Sequence, residues 1–74
     1  MKITVKLFAS FRTGRFTIQD REYPDGTTVG QVAEDLRLPE QELGIMLVNS
    51  RHVKCPHTLT DGDTLALFPL LGGG

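Results

Sequence analysis

Seventy-four residues with a formal net charge of −1 make one small domain and leave no room for a second. Cys55 is the single cysteine, which excludes a disulfide scaffold and fits a reducing compartment, the cytoplasm. The basic residues are scattered, no apolar run approaches the roughly 20 residues of a membrane span, and Met1-Lys2-Ile3-Thr4 does not open a signal-peptide hydrophobic region, so neither nucleic acid nor membrane is an expected partner.

Residues 2–8 alternate, with Ile3, Val5 and Leu7 on one face and Lys2, Thr4 and Lys6 on the other, which predicts a half-buried strand. The alternation breaks over residues 9–13 and Gly14 closes the segment, with Phe8 and Phe11 expected to pin this connection to the core. Residues 15–22 alternate again, with Phe16 and Ile18 expected inward, and the short loop before them predicts an antiparallel hairpin.

Pro24-Asp25-Gly26 is turn chemistry, and Thr27 or Thr28 offers a hydroxyl to cap a following helix. Val29, Val32, Ala33 and Leu36 form one apolar stripe while Gln31, Glu34, Asp35 and Arg37 face water, so a helix is expected over residues 29–37, stopping before Pro39. Residues 39–44 read as a loop or single helical turn anchored by Leu43. Residues 45–48 are a short continuous apolar run, expected to be a strand covered on both sides or central in a sheet. Asn49-Ser50 predicts a tight turn, and residues 51–54 a short returning strand. Asp61-Gly62-Asp63 predicts a second turn before the last strand, residues 64–68, with Leu65 and Leu67 on the core side.

The order strand, strand, helix, strand, short strand, strand gives one apolar helix face and one apolar sheet face that must cover each other. The expected fold is α+β: a β-grasp, or ubiquitin-like, mixed sheet of four to five strands over one helix, with the first and last strands parallel at its centre. The domain is expected over residues 1–69 and a flexible tail over residues 70–74. The run Gly72-Gly73-Gly74 has no side chain to bury, and a glycine loses more backbone freedom on ordering than any other residue. A frayed end would show the same glycines, but here they follow the last strand directly, behind the apolar pair Leu70-Leu71. A glycine arm enters a channel too narrow for side chains, and the group at its tip is the Gly74 carboxylate.

The closing stretch from Leu59 through Asp61-Gly62-Asp63 and Phe68-Pro69 to Gly73-Gly74 resembles the end of the MoaD/ThiS family of sulfur carriers. Leu7-Phe8-Ala9-Ser10-Phe11-Arg12, Pro24-Asp25-Gly26-Thr27-Thr28-Val29-Gly30 and Leu47-Val48-Asn49 extend the likeness over nearly the whole chain. The resemblance implies a protein cosubstrate rather than an enzyme, with no bound cofactor. An E1-like adenylating enzyme would thread Gly72 and Gly73 toward ATP and adenylate the Gly74 carboxylate. Sulfur from a persulfide donor would then displace AMP and leave a thiocarboxylate, which a partner synthase consumes. Phe68-Pro69 and the Asp61-Gly62-Asp63 turn resemble the molybdopterin synthase small subunit, whose partner is the large subunit. Leu70 departs from that branch, which often has a second proline there, so a thiazole synthase partner stays open, as does tungsten-pterin assembly.

Phe68 alternates with Leu67 and is expected to point away from the core, where with Pro69, Leu70 and Leu71 it would make a partner-docking patch. Cys55 could serve as a sulfur relay if its pKa were lowered by His52 or His57, but a lone cysteine is ordinarily a small inert hydrophobe. The same three residues are a weak metal-ligand set, and no metal or catalytic constellation is expected. Arg12 and Arg51 read as solvated charges or partner contacts. Two other functions fit the same chain: a ubiquitin-type modifier joined through Gly74 to lysine, and an interaction module with an idle tail.

Overall fold

Strand β1 (Lys2–Leu7) buries Ile3, Val5 and Leu7 completely, as its alternation requires. The computed structural model describes residues 1–70; the predicted tail positions Leu71, Gly72, Gly73 and Gly74 lie outside the described residues. A 3₁₀ turn (Ala9–Arg12) leads to β2 (Ile18–Glu22), then helix α1 (Val29–Asp35), a second 3₁₀ turn (Glu40–Glu42), and strands β3 (Leu43–Val48), β4 (Arg51–His52) and β5 (Thr64–Pro69). The sheet order is β2-β1-β5-β3-β4, with β1 and β5 parallel at the centre and every other pair antiparallel. One helix lies across one face of five strands, which is the β-grasp arrangement the element order implies.

The core forms where the two apolar faces meet. Leu65 and Leu67 of β5 and Val48 of β3 join the β1 residues against Val29, Val32 and Ala33 of the helix, with Leu36, Leu38, Leu59 and Phe11 closing the margins. A seven-residue helix is too short to persist alone. It is nucleated by a capping box in which Thr28 Oγ1 accepts the Gln31 N–H and Gln31 Oε1 accepts the Thr28 N–H. It ends at Asp35, two residues before the predicted stop. Arg37 enters the left-handed region (φ 60°), and the Leu38 N–H reaches back to the Ala33 carbonyl at 2.9 Å while Arg37 N–H reaches Glu34. Arg15 completes this end: its guanidinium donates to the carbonyls of Leu36, Phe11 and Arg37.

Two expectations are corrected, and for β3 one of two is selected. Ile18 is not inward but 57% exposed, because the register pairs it with outward-facing Lys6 and gives the inward position to Gln19, opposite Val5. Phe16, which precedes the strand, is half-buried at the core margin. Strand β3 takes the second of its two expected placements, inside the sheet between β5 and β4, and is not covered on both sides: Met46 and Val48 face the helix, but Ile45 and Leu47 share the open face with their partners Phe68 and Ala66, and Ile45 is 41% exposed. Phe8 does not pin the core. It follows buried Leu7 and stands on the open face, leaving Phe11, 3% exposed, to do the anchoring. The Asn49-Ser50 turn forms as expected, with both residues at positive φ (51° and 69°), and Gly62 takes φ 89° in the turn before β5.

Candidate docking face at the root of the C-terminal segment

Strand β5 sends Leu65 and Leu67 into the core and Thr64, Ala66 and Phe68 to the open face of the sheet. Phe68 meets Phe8 there in a parallel stack, with ring centroids 4.0 Å apart and planes 8° from parallel. The Arg12 guanidinium lies 5.3 Å from the Phe8 ring centroid and donates through Nε to the Leu7 carbonyl at 2.8 Å, which fixes it at the rim.

Beyond the stack, a groove of about 460 Å³ is lined entirely by apolar or backbone surface from Phe8, Ala9, Gly44, Ile45, Phe68, Pro69 and Leu70. Gly44 is what brings its walls together. The ladder between β3 and β5 shifts register between Leu43 and Ile45, and a β-carbon at position 44 would sit 2.6 Å from the Pro69 carbonyl oxygen. The Leu70 N–H donates to the Glu42 carbonyl at 2.9 Å, and its side chain stands 62% exposed. Phe68, Pro69 and Leu70 are therefore brought together at one end of β5, whereas Leu71, Gly72, Gly73 and Gly74 lie outside the described residues.

The start of β5 is held by a polar network. The Asp63 carboxylate, nearly buried, accepts from the Asn49 side-chain amide and the Thr60 N–H, both at 2.8 Å, and the Asn49 side-chain oxygen accepts the Thr64 N–H at 3.0 Å. Burial pushes the Asp63 carboxyl up, but the hydrogen bonds from Thr60 and Asn49 outweigh it and hold the group below the usual carboxylate range.

Cys55 is remote from this face. It packs on the helix side, with its β-carbon against Gly30 and its sulfur 3.9 Å from the Met46 sulfur. Burial, and then the charge of Glu40, push its thiol up, the opposite of what a reactive sulfur needs. His52 is exposed on β4, while His57 lends its backbone carbonyl to the Val29 N–H; among the described residues no group of three acidic, histidine or cysteine side chains is placed to hold a metal. Arg51 is exposed beside His52. Sequence reasoning missed Phe8, Ala9, Gly44 and Ile45 as members of the face. The alternation that turns Phe68 outward after Leu67 applies equally to Phe8 after Leu7, so that signal was present; nothing local marks Gly44.

A mixed five-stranded sheet over one helix, with a parallel central pair and an apolar face beside the end of the last strand, defines a ubiquitin-like protein. The chain belongs to the ThiS family, whose model matches residues 5–74. No curated protein sequence matches it. Among solved structures, it is similar to a Pyrococcus furiosus protein assigned by name to molybdopterin converting factor, subunit 1 (27% identity, 96% of this chain and 99% of that one, TM-score 0.77). Two others share the fold. In the complex of subunits 1 and 2 of the Helicobacter pylori 26695 molybdopterin-converting factor, the match is 18% identical and covers both chains fully, with TM-score 0.67. The Caldiarchaeum subterraneum ubiquitin is 24% identical over 100% of this chain and 98% of that one, with TM-score 0.64.

Proposed function

We propose that this protein is a sulfur carrier that delivers sulfur to the pterin precursor of the molybdenum or tungsten cofactor. Its family supports the carrier role, in which the protein is a substrate and catalysis belongs to its partners. The name of the Pyrococcus furiosus relative favours the molybdopterin branch over thiazole synthesis. The observation that carries the reading is the apolar groove from Phe8 and Ile45 to Leu70. It gives a partner an apolar surface at the root of the segment that carries Gly74.

A partner E1-like enzyme in the cytoplasm docks on this face and admits Gly72 and Gly73 into a channel too narrow for side chains. The Gly74 carboxylate oxygen attacks the α-phosphorus of ATP and pyrophosphate leaves, which turns a poor electrophile into an acyl-adenylate. The terminal sulfur of a persulfide attacks the carbonyl carbon and AMP leaves. A thiol then cleaves the sulfur–sulfur bond, becoming a disulfide, and the thiocarboxylate remains. Held at one end of a rigid domain that docks again on the synthase large subunit, this sulfur reacts at high effective concentration.

The test is intact mass after incubation with an E1-like enzyme, ATP and a sulfur donor. The expected gain equals replacement of one oxygen by sulfur at Gly74, and it disappears when Gly73 and Gly74 are removed. Phe68→Ala should slow the conversion while the far-UV spectrum stays native. An unchanged mass, with lysine-linked conjugates in cell extract, would replace the carrier reading by a protein modifier.

A further inference from the structure

The sheet has one long open edge. The hydrogen bonds Leu7 N–H to Thr17 and Tyr23 N–H to Met1 (2.9 and 3.0 Å) show that the odd-numbered residues of this stretch turn their backbone groups toward β1. Ile18, Asp20 and Glu22 therefore turn three N–H and three C=O groups away from the sheet, and among the described strands β2 pairs with β1 alone. The other edge, β4, is two residues long, too short to template a strand.

The two sides of β2 differ in charge. On the helix side, Gln19 and Arg21 border an open groove of about 460 Å³ that also takes in Arg15, Phe16, Asp35 and Arg37. Three guanidinium groups face one carboxylate there. Arg21 is ion-paired with Asp35 at 3.1 Å, whereas Arg15 is held by backbone carbonyls, and neither Arg15 nor Arg37 has a carboxylate partner among the described residues. On the open side, Ile18 stands exposed beside Asp20 and Glu22. A strand added here must set its alternate side chains against an excess of cations on one side and, on the other, against an isoleucine and the balanced charges of Asp20, Glu22, Lys2 and Lys6.

We propose that β2 is a strand-addition site for an extended acidic segment of a partner protein, in which carboxylates alternate with branched apolar residues. Main-chain hydrogen bonds to Ile18, Asp20 and Glu22 supply the pairing. The carboxylates lie over Arg15, Arg21 and Arg37. The apolar residues cover Ile18 on the open side, where Asp20 and Glu22 stand against Lys2 and Lys6 of β1 and no net charge draws a carboxylate. This surface is separate from the face around Phe68, so a partner could occupy it while the carrier chemistry proceeds or fails independently.

The experiment uses the whole chain, isotope-labelled, and the blocked peptide Val-Glu-Val-Glu-Val-Glu, with Val-Lys-Val-Lys-Val-Lys as its charge-reversed counterpart. The acidic peptide should shift the amide signals of β2 and of Leu36 and Arg37, and should protect the Ile18, Asp20 and Glu22 amides from hydrogen exchange. The basic peptide should not bind, and salt at about 0.5 M should weaken the acidic one. Asp20→Pro removes one outward N–H without breaking the β1 ladder and should weaken binding about tenfold. Arg37→Glu should do the same, and decides alone if the proline variant does not fold. Shifts confined to the Phe68 face, equal binding of both peptides, or no protection of the three amides would overturn the proposal.

Discussion

Replacing Gly44 with alanine tests whether the end of β5 is seated by the absence of a side chain. The added carbon would lie 2.6 Å from the Pro69 carbonyl oxygen, 2.9 Å from its carbonyl carbon and 3.0 Å from the Leu70 α-carbon. All three are backbone atoms, so no side chain can swing aside, and reaching ordinary contact at 3.4 Å means parting the strands by 3.4 − 2.6, about 0.8 Å. Gly44 does not sit in the left-handed region, so alanine's own conformational preference adds no penalty. Overpacking of this kind costs about 1–3 kcal/mol. Weakening the Leu70 to Glu42 hydrogen bond adds about 1 kcal/mol. Loss of glycine's freedom in the unfolded chain returns about 0.5–1 kcal/mol. The net is a loss of about 2 kcal/mol, which in a domain this small lowers Tm by about 8–16 °C. Thermal unfolding followed by circular dichroism measures it, and hydrogen exchange at the Leu70 amide should accelerate in the folded state. A variant as stable as the parent, or more so, would refute the reasoning.

Asp63 makes stability depend on acid. Its carboxyl lies below the usual range, so its contribution is whole above about pH 4 and is lost as the pH falls through the lowered value. Asp63→Asn should flatten the acid limb of the stability curve and cost about 1–3 kcal/mol at neutral pH, because its amide turns a donor toward the Thr60 N–H or the Asn49 amide. Cys55, its thiol raised by burial and by Glu40, should alkylate more slowly at neutral pH than an unfolded control, and Cys55→Ala should form thiocarboxylate at the parental rate; a large loss would restore the relay reading. Arg15→Ala removes the side chain that holds the carbonyls at the end of α1 and should lower stability by about 1 kcal/mol, with Arg15→Lys recovering only part because an ammonium's donors radiate from one nitrogen and cannot span acceptors bonded here by three separate guanidinium nitrogens.

What the residues announce and what they conceal follow from the range of the forces involved. The inward sets of β1 and β5, the capped helix and the Asn49-Ser50 and Gly62 turns are written in local alternation and turn chemistry, and the structure contains them. The phase of β2 is not local. Arg15 to Glu22 alternates convincingly around Phe16 and Ile18, but the register with β1 gives the inward side to Gln19 and Arg21, where Arg21 donates both to the Gln19 side-chain oxygen and to Asp35 at the helix end. The apolar run of β3 likewise reads as a buried strand, because periodicity cannot distinguish a face covered by a helix from one left open beside the end of β5. Phe68 was legible as an outward aromatic, and the same alternation after Leu7 marks Phe8; that the two rings stack, and that the backbones close up at Gly44, depends on which strands lie side by side.

The parallel pairing of β1 with β5 also governs how the domain answers to force. Traction on Pro69 against the anchored Met1 end would drag the two strands past each other lengthwise. The contacts linking Thr4, Val5, Lys6 and Leu7 to Thr64, Leu65, Ala66 and Leu67 then share the load and must yield in concert, whereas an antiparallel pair gripped at one end peels open one link at a time. Strand β5 is flanked by β3 on its other side, which spreads the strain further across the sheet. Force drawn through Pro69 therefore meets the central pair in shear rather than in peeling.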